Sequence, residues 1–429
     1  MKINEALDFL SQSYKIGRKL GLDNVQRLLD RLDNPEKKLK MIHVAGTNGK
    51  GSTSSIIYSV LREAGYKVGF YSSPHLVTYN ERFRYDGRLI SDEDLAAAIT
   101  RVKQGCEELV AEGYPHPTEF ELLTAAGLWF FAKEELDYLI MEVGLGGRLD
   151  ATNVIRPLIS IITPIARDHE DYLGHDLASI AGEKAGIIKE GIPVVSGFQE
   201  AEAMEVLENK AREVGTNFYR ISRDDLKVIK SNLETNHFIY KGQDYKLPLL
   251  GLHQIDNAML AIEALLLLKS QAQIDLTEAE LVSGLLKAQW PGRLEKISDQ
   301  PPFYIDGGHN SHGIRAVSKI LDPEESDKRI LLMGMRQDKD YREVLELLLP
   351  LFREVVFTLP LGDMVVPIEE LVEIAAELGY KTLGHDDYKK ALDIVYNLYK
   401  EGDQIFSMGS FYLIGEVKEE VLKRKKEEL

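Results

Sequence analysis

Cysteine is almost absent from this chain. Among 429 residues there is one, Cys106, so an internal disulfide is excluded and a reducing cytoplasm is the expected setting. It falls among Val102, Glu107, Leu109 and Val110 at helical spacing, which predicts a buried structural thiol. Basic charge is also scarce: 52 Lys and Arg against 69 Asp and Glu give a formal net charge of −17. Such a chain repels polyanions unless it segregates its basic residues. The sequence has no Lys/Arg stripe with interleaved aromatics, so no nucleic-acid partner is expected. Small anions remain within reach, because backbone amides, a few cations and a bound metal set the local field of a site. Long apolar runs are missing too. The longest, near 261–268, contains Glu263 and falls well short of the ~20 residues a bilayer needs. Residues 1–20 scatter charge through their apolar positions, unlike a signal peptide. No membrane partner is expected, and the predicted localisation is cytoplasmic.

What is present reads as α/β. Residues 1–40 carry amphipathic helical spacing, with Val25, Leu28, Leu29 and Leu32 on one face. Short apolar strands at 40–44, 68–71, 138–142, 158–162 and 193–196 then alternate with helices at 52–64, 91–112, 119–133, 177–187 and 201–214. That alternation predicts a parallel sheet covered on both faces. Residues 227–247 break the rhythm and read as a β-hairpin. Helices follow at 255–269 and 276–286. The polar, proline-containing stretch 298–302 is taken as the domain boundary, and a second alternation begins at 303–306. It continues with strands at 329–333, 354–358, 381–383 and 404–408. The mixed-charge C-terminus reads as a solvated helix.

Residues 43–53, HVAGTNGKGST, lie between a strand and a helix. Gly46, Gly49 and Gly51 allow a tight turn that points backbone N–H groups inward. Lys50 adds a point charge, and the helix start near Ser52 adds its positive end. This combination suits a nucleotide triphosphate. The spacing differs from the usual G-x-x-x-x-G-K-[ST], because only Thr47 and Asn48 separate the first two glycines.

Further segments follow in order: SSPHL at 72–76, NERF at 80–83, TEFE at 118–121, EVGLGGRLDATN at 142–153, DHEDYLG at 168–174 and IAGEKAGI at 180–187. HQIDNAMLAI at 253–262, WPGRLE at 290–295, DGGHN at 306–310 and GSFYLIGEV at 409–417 complete the series. Together with the glycine loop they resemble the Mur ligase superfamily, specifically its folylpolyglutamate synthase/dihydrofolate synthase branch. The resemblance covers nearly the whole chain. It implies an N-terminal P-loop-type parallel-sheet domain with an added β-hairpin region over 1–296, carrying the ATP and folate sites. A C-terminal Rossmann-like α/β domain, the glutamate-ligase domain, would occupy 297–429.

Glu142 ends a predicted strand and enters a glycine-rich loop, where open parallel sheets place ligand contacts. A carboxylate there is a natural Mg²⁺ ligand. The resemblance adds Ser73 and His169 as metal ligands and makes Lys184 a carbamylated lysine. It makes Thr47, Asn48, Gly49, Lys50, Gly51, Ser52, Asn257, Arg293 and Asp306 contacts to ATP. His309 would join Lys50 and Lys184 in the catalytic centre, while Phe83, Arg148, Asp150 and Thr152 would face the folate. This chain has Gly308 and Ser311 where relatives often have alanine and proline.

The implied activity is ATP-dependent ligation of L-glutamate to a folate carboxylate through an acyl phosphate, with Mg²⁺ as cofactor and ATP as co-substrate. The acceptor would be a reduced folate, dihydropteroate, or both, and the default oligomeric state is a monomer. Two other readings compete. A cell-wall-type amino-acid ligase would keep the fold and change the acceptor, but would carry a UDP-binding domain first. A nucleotide-binding module without ligase activity would bind ATP and show no glutamate-dependent ADP release.

Overall fold

The computed structural model describes residues 1–14, 21–337, 340–362 and 364–427; parts of the amphipathic N-terminal stretch and of the charged C-terminal end lie outside them. The chain divides into two compact units. The first contains Met1–Leu226, Tyr240–Tyr245 and Asp256–Ala288, and the second contains Lys227–Ile239, Lys246–Ile255 and Gln289–Leu429.

The first unit is built on eight strands: β1 (Met41–Ala45), β2 (Val68–Tyr71), β3 (Phe83–Tyr85), β4 (Arg88–Leu89), β5 (Tyr138–Glu142), β6 (Ile159–Ile162), β7 (Val194–Ser196) and β8 (Phe218–Arg220). Their order is β4-β3-β2-β5-β1-β6-β7-β8. From β2 through β8 every neighbouring pair is parallel, and β3 and β4 add an antiparallel edge. Residues of β1, β5 and β6 are buried throughout, as expected of strands covered on both faces. Each Leu, Ile or Met so buried contributes about 1.5–3 kcal/mol.

The chain leaves β1 towards β2 on one side and leaves β6 towards β7 on the other. This reversal is a topological switch point, and open α/β sheets usually take ligands at the carboxyl ends of the strands there. Helix Glu119–Lys133 starts from a capping box in which Thr118 and Glu121 satisfy each other's amides. Helix Asp92–Ala111 starts from Ser91, and Cys106 on it is buried as expected.

The second unit holds a six-stranded sheet of β12 (Glu295–Asp299), β13 (Pro302–Asp306), β14 (Arg329–Met333), β15 (Glu354–Phe357), β16 (Leu383–Gly384) and β17 (Gln404–Met408). The order is β12-β13-β17-β14-β15-β16, with parallel pairing from β13 onward. Two expectations change here. The stretch at 298–302 is no linker: β12 and β13 pair antiparallel across it, so it is a hairpin turn within the second unit. The segment at 227–247 forms three strands rather than a two-stranded hairpin. These are β9 (Leu226–Ser231), β10 (Asn236–Tyr240) and β11 (Gln243–Leu247), forming a sheet of their own.

Candidate active site

Register places the predicted residues of the first unit along one edge. Val44 pairs with Glu142 and Ala45 with Ile162, so β1, β5 and β6 end together. The loop 46–49 leaves β1 at that edge. Two of its amides are not turned in towards a ligand as expected: Thr47 and Asn48 both donate to the Pro164 carbonyl, at 3.1 and 3.2 Å. The Thr47 hydroxyl donates to Ala166 O at 3.0 Å and accepts from Ala166 N at 3.1 Å. Thr47 and Asn48 therefore fasten the loop to the segment after β6. Lys50, Gly51 and Ser52 instead lie in the first turn of helix Lys50–Glu63, whose start has no side-chain cap. First-turn amides have no intrahelical partner, so this end can receive an anion.

Gly49 has φ +89, and a β-carbon there would collide with Oδ1 of the buried Asn257. The loop and Asn257 thus approach each other more closely than a side chain at position 49 permits. Lys50 Nζ donates to the carbonyls of Gly46 and Thr47, both at 3.2 Å. Lys184 Nζ donates to the same Gly46 carbonyl at 3.0 Å. Lys184 is only 3% exposed, although its Ala/Gly-rich surroundings and the adjacent Glu183 read as a surface helix. Burial, followed by the charge of Lys50, pushes its pKa down to about 7. A lysine in this state is a neutral amine for a substantial fraction of the time, which is the form that adds CO₂.

Glu142 is buried at the end of β5. Ser73 lies two residues past β2, before a cis Pro74, and His169 has φ +53 in the segment after β6, with Nε2 4.0 Å from Asp168. Among the described residues no group of three or more His, Cys, Asp and Glu forms a metal cage. The fit to Mg²⁺ rests on donor chemistry. A buried carboxylate and a serine hydroxyl, on segments that leave the sheet at the same edge as the glycine loop, suit a hard cation that takes most of its ligands from phosphate and water. An imidazole is the poorer match.

The four folate-facing expectations separate. Phe83 is fully buried and packs edge-on to Tyr71 at 5.5 Å, so it belongs to the core. Thr152 is also fully buried, its hydroxyl engaged by His43 and Asp150. Asp150 is 4% exposed and accepts from Leu145 N at 2.8 Å and Thr152 N at 3.0 Å; burial raises its pKa despite these donors. Only Arg148 is exposed, paired with Glu183 at 2.7 Å. Phe120, which the sequence did not single out, is half-buried, and its ring lies against Gly144 just after Glu142. Its signal was its place at the second position of a capped helix.

In the second unit, Asp306 ends β13. It is buried and accepts from Leu294 N at 2.8 Å and Gly308 N at 2.7 Å. Burial raises its pKa and the charge of Arg293 opposes the rise. Arg293 lies 4.6 Å from the centre of the Phe411 ring, and His309 meets the same ring at 6.5 Å. His309 Nδ1 lies 2.9 Å from the Gly307 carbonyl, which makes Nδ1 the protonated nitrogen. Phe411 opens helix Phe411–Glu427. Just before it, the Ser410 hydroxyl is buried without a hydrogen-bond partner, a candidate the sequence reading missed.

Two family descriptions match the chain: the Mur ligase middle domain over residues 44–265 and the Mur ligase glutamate ligase domain over 292–411. The dihydrofolate synthase/folylpolyglutamate synthase of Bacillus subtilis (strain 168) is 35% identical over 429 aligned residues, covering 96% of this chain and 98% of that protein. Among solved structures, Mycobacterium tuberculosis folylpolyglutamate synthase complexed with ADP and AMPPCP superposes with a TM-score of 0.87 at 29% identity. It covers 97% of this chain and 98% of its own. The E. coli FolC structure in complex with DHPP and ADP gives a TM-score of 0.85 at 31% identity, covering 98% of each chain. No helix among the described residues is long and apolar enough to cross a membrane. The chain belongs to the Mur ligase family, in its folylpolyglutamate synthase/dihydrofolate synthase branch.

Proposed function

We propose that this protein is an ATP-dependent ligase that joins the amine of L-glutamate to the carboxylate of a folate acceptor. The observation that carries the reading is the uncapped start of helix Lys50–Glu63, with Lys50 and Lys184 converging on the Gly46 carbonyl. The ADP, AMPPCP and DHPP in the relatives' structures support it. In the reaction the γ-phosphoryl group moves from ATP to a carboxylate oxygen of the acceptor, giving an acyl phosphate and ADP. The glutamate amine attacks the acyl carbon and loses its proton, and inorganic phosphate leaves.

Phosphoryl transfer asks mainly for positioning and neutralisation of charge. Amides of Lys50, Gly51 and Ser52 and the Lys50 ammonium would hold the phosphates, with Asn257 beside the loop. Glu142 and Ser73 would hold Mg²⁺, which would supply neutralisation of the negative charge on the phosphate groups. The buried Lys184 amine is suited to take up CO₂, forming an N–C bond and releasing one proton, and its carbamate would be an anion near that metal. For Arg293 and Asp306 the nucleotide role rests on the resemblance alone. In the second unit, His309 and the Ser410 hydroxyl at the start of a long helix are suited to the carboxylates of the incoming amino acid. Arg148 and Phe120 are the accessible candidates for the folate side. The reading takes the enzyme to act as a cytoplasmic monomer.

The test is ADP release with Mg·ATP and L-glutamate, offering dihydropteroate and tetrahydrofolate in separate reactions, with Lys50→Ala as control. Turnover with both gives a bifunctional synthase, and turnover with tetrahydrofolate alone narrows the enzyme to polyglutamylation. Absence of glutamate-dependent turnover with either would sink the folate acceptor.

A further inference from the structure

His43 is an unusual residue for the middle of a parallel strand that is otherwise apolar and buried. Its side chain is fully buried, and its Nε2 lies 2.9 Å from the Thr152 hydroxyl. That hydroxyl in turn donates to Asp150 Oδ1 at 2.5 Å. Asp150 completes the chain by accepting from Leu145 N through Oδ2 and from Thr152 N through Oδ1. The direction of the chain follows from the proton count. A hydroxyl has one proton, and Thr152 gives it to a carboxylate, so it accepts from His43. Nε2 therefore carries the imidazole proton. The opposite tautomer would place an N–H on Nδ1, which is buried and has no hydrogen-bond partner, the rarer kind of unsatisfied group. Desolvation, followed by the nearby charge of Lys189, pushes the imidazole pKa down to about 3, so the ring stays neutral.

The chain links two functional segments. β1 runs from His43 into the glycine loop, while Leu145 and Asp150 belong to the loop that leaves Glu142. Val143 N donates to Val44 O at 2.9 Å, so the two segments leave adjacent strands side by side. Asp150 also accepts from the chain that it organises: Asn153 N donates to Asp150 O at 2.8 Å.

We propose that His43 is a positioning residue: acting through Thr152 and Asp150, it fixes the loop 143–150 against β1 and thereby sets the affinity for the acceptor substrate. The identity of that substrate as a folate rests on the function proposed above. The placement of the loop does not.

Two variants test it. His43→Leu keeps volume and removes the donor, and His43→Gln restores one. The expected result for His43→Leu is an acceptor KM raised about 10–100-fold, an ATP KM changed less than about twofold, and partial recovery in His43→Gln. Equal changes in both KM values, or lost thermal stability with both unchanged, would overturn the proposal. Should His43→Leu fail to fold, Thr152→Val interrupts the same chain and carries the same expectation. Imidazole ¹⁵N NMR of the unaltered protein is expected to show a neutral Nε2–H tautomer from pH 5 to 8. An Nδ1–H tautomer, or titration in that range, would refute the chain. If the unaltered enzyme shows no folate-dependent turnover, the functional reading fails. Amide exchange of residues 144–150 then decides this proposal alone, with faster exchange in His43→Leu expected and unchanged exchange overturning it.

Discussion

Two strand-end turns, one in each unit, face the same physical problem and resolve it oppositely. After β1, the chain turns through Gly46–Gly49 into helix Lys50–Glu63 and leaves the helix start without a side-chain cap. After β13, it turns through Gly307–Asn310 into helix Ser311–Ser318, and Asn310 caps that helix by accepting from Gly313 N at 2.8 Å. Asp306 closes the second turn further by accepting from Gly308 N. A capping side chain and a ligand anion compete for the same first-turn amides. The first turn therefore leaves its helix-start amides to a ligand, and the second commits its amides within the protein. A glycine-rich strand–helix turn is a phosphate site only when its own side chains leave the amides to the ligand.

The largest effect that would sharpen this contrast is on turnover. Lys50→Ala is expected to lower kcat/KM by about 10²–10³-fold, the scale of losing one donor to developing charge, with a melting temperature within about 2 °C of the parent. A large drop in melting temperature would instead make the first turn structural like the second.

Lys184→Met tests the charge buried beside that turn. The folded-state pKa lies below the unfolded value, so between about pH 7 and 10 the unfolded chain binds more protons. Stability of the parent should rise with pH across that window, by a contribution on the order of 4–5 kcal/mol. The Met variant should lose the rise and be relatively more stable at pH 6, while losing activity. Denaturant midpoints at pH 6, 7.5 and 9 measure both.

Asp306→Asn should lower stability by about 1–3 kcal/mol, because an amide NH₂ replaces one of two buried acceptors. Calorimetry of the variant checks it, and an unchanged melting temperature would contradict the structural role. The smallest effect is that of Asn310→Ala, about 1 kcal/mol for a lost cap, measured by denaturant titration, with the ATP KM unaltered.

How much of this was legible varies by residue. The glycine loop and Lys50 were readable because turn formation, phosphate donors and a following helix are all local properties of 43–53. Glu142 at a strand end was readable from periodicity. Lys184 was marked by the resemblance alone and its burial was not readable, because its neighbours Gly182, Glu183 and Gly186 read as a solvated helix, and its Nζ is held by the Gly46 carbonyl in the loop after β1. Phe83 sat in a motif that pointed to a ligand, yet strand pairing with β2 turned it into the core. The turn at 298–302 had the composition of a linker, and only the pairing of Glu295 with Ile305 made it a hairpin.

The sequence by itself determined the α/β alternation, the place of the glycine-rich turn between strand and helix, the family and the reaction class, all of which depend on patterns local to short segments of the chain. The tertiary structure decided which polar groups are committed within the protein. Thr47 meets Ala166 across 119 positions, and Lys184 meets Gly46 across 138. Such partners are invisible to local pattern, and a single-proton donor that has found one, such as the Thr47 hydroxyl, is no longer available to a substrate, whereas a lysine ammonium keeps further donors.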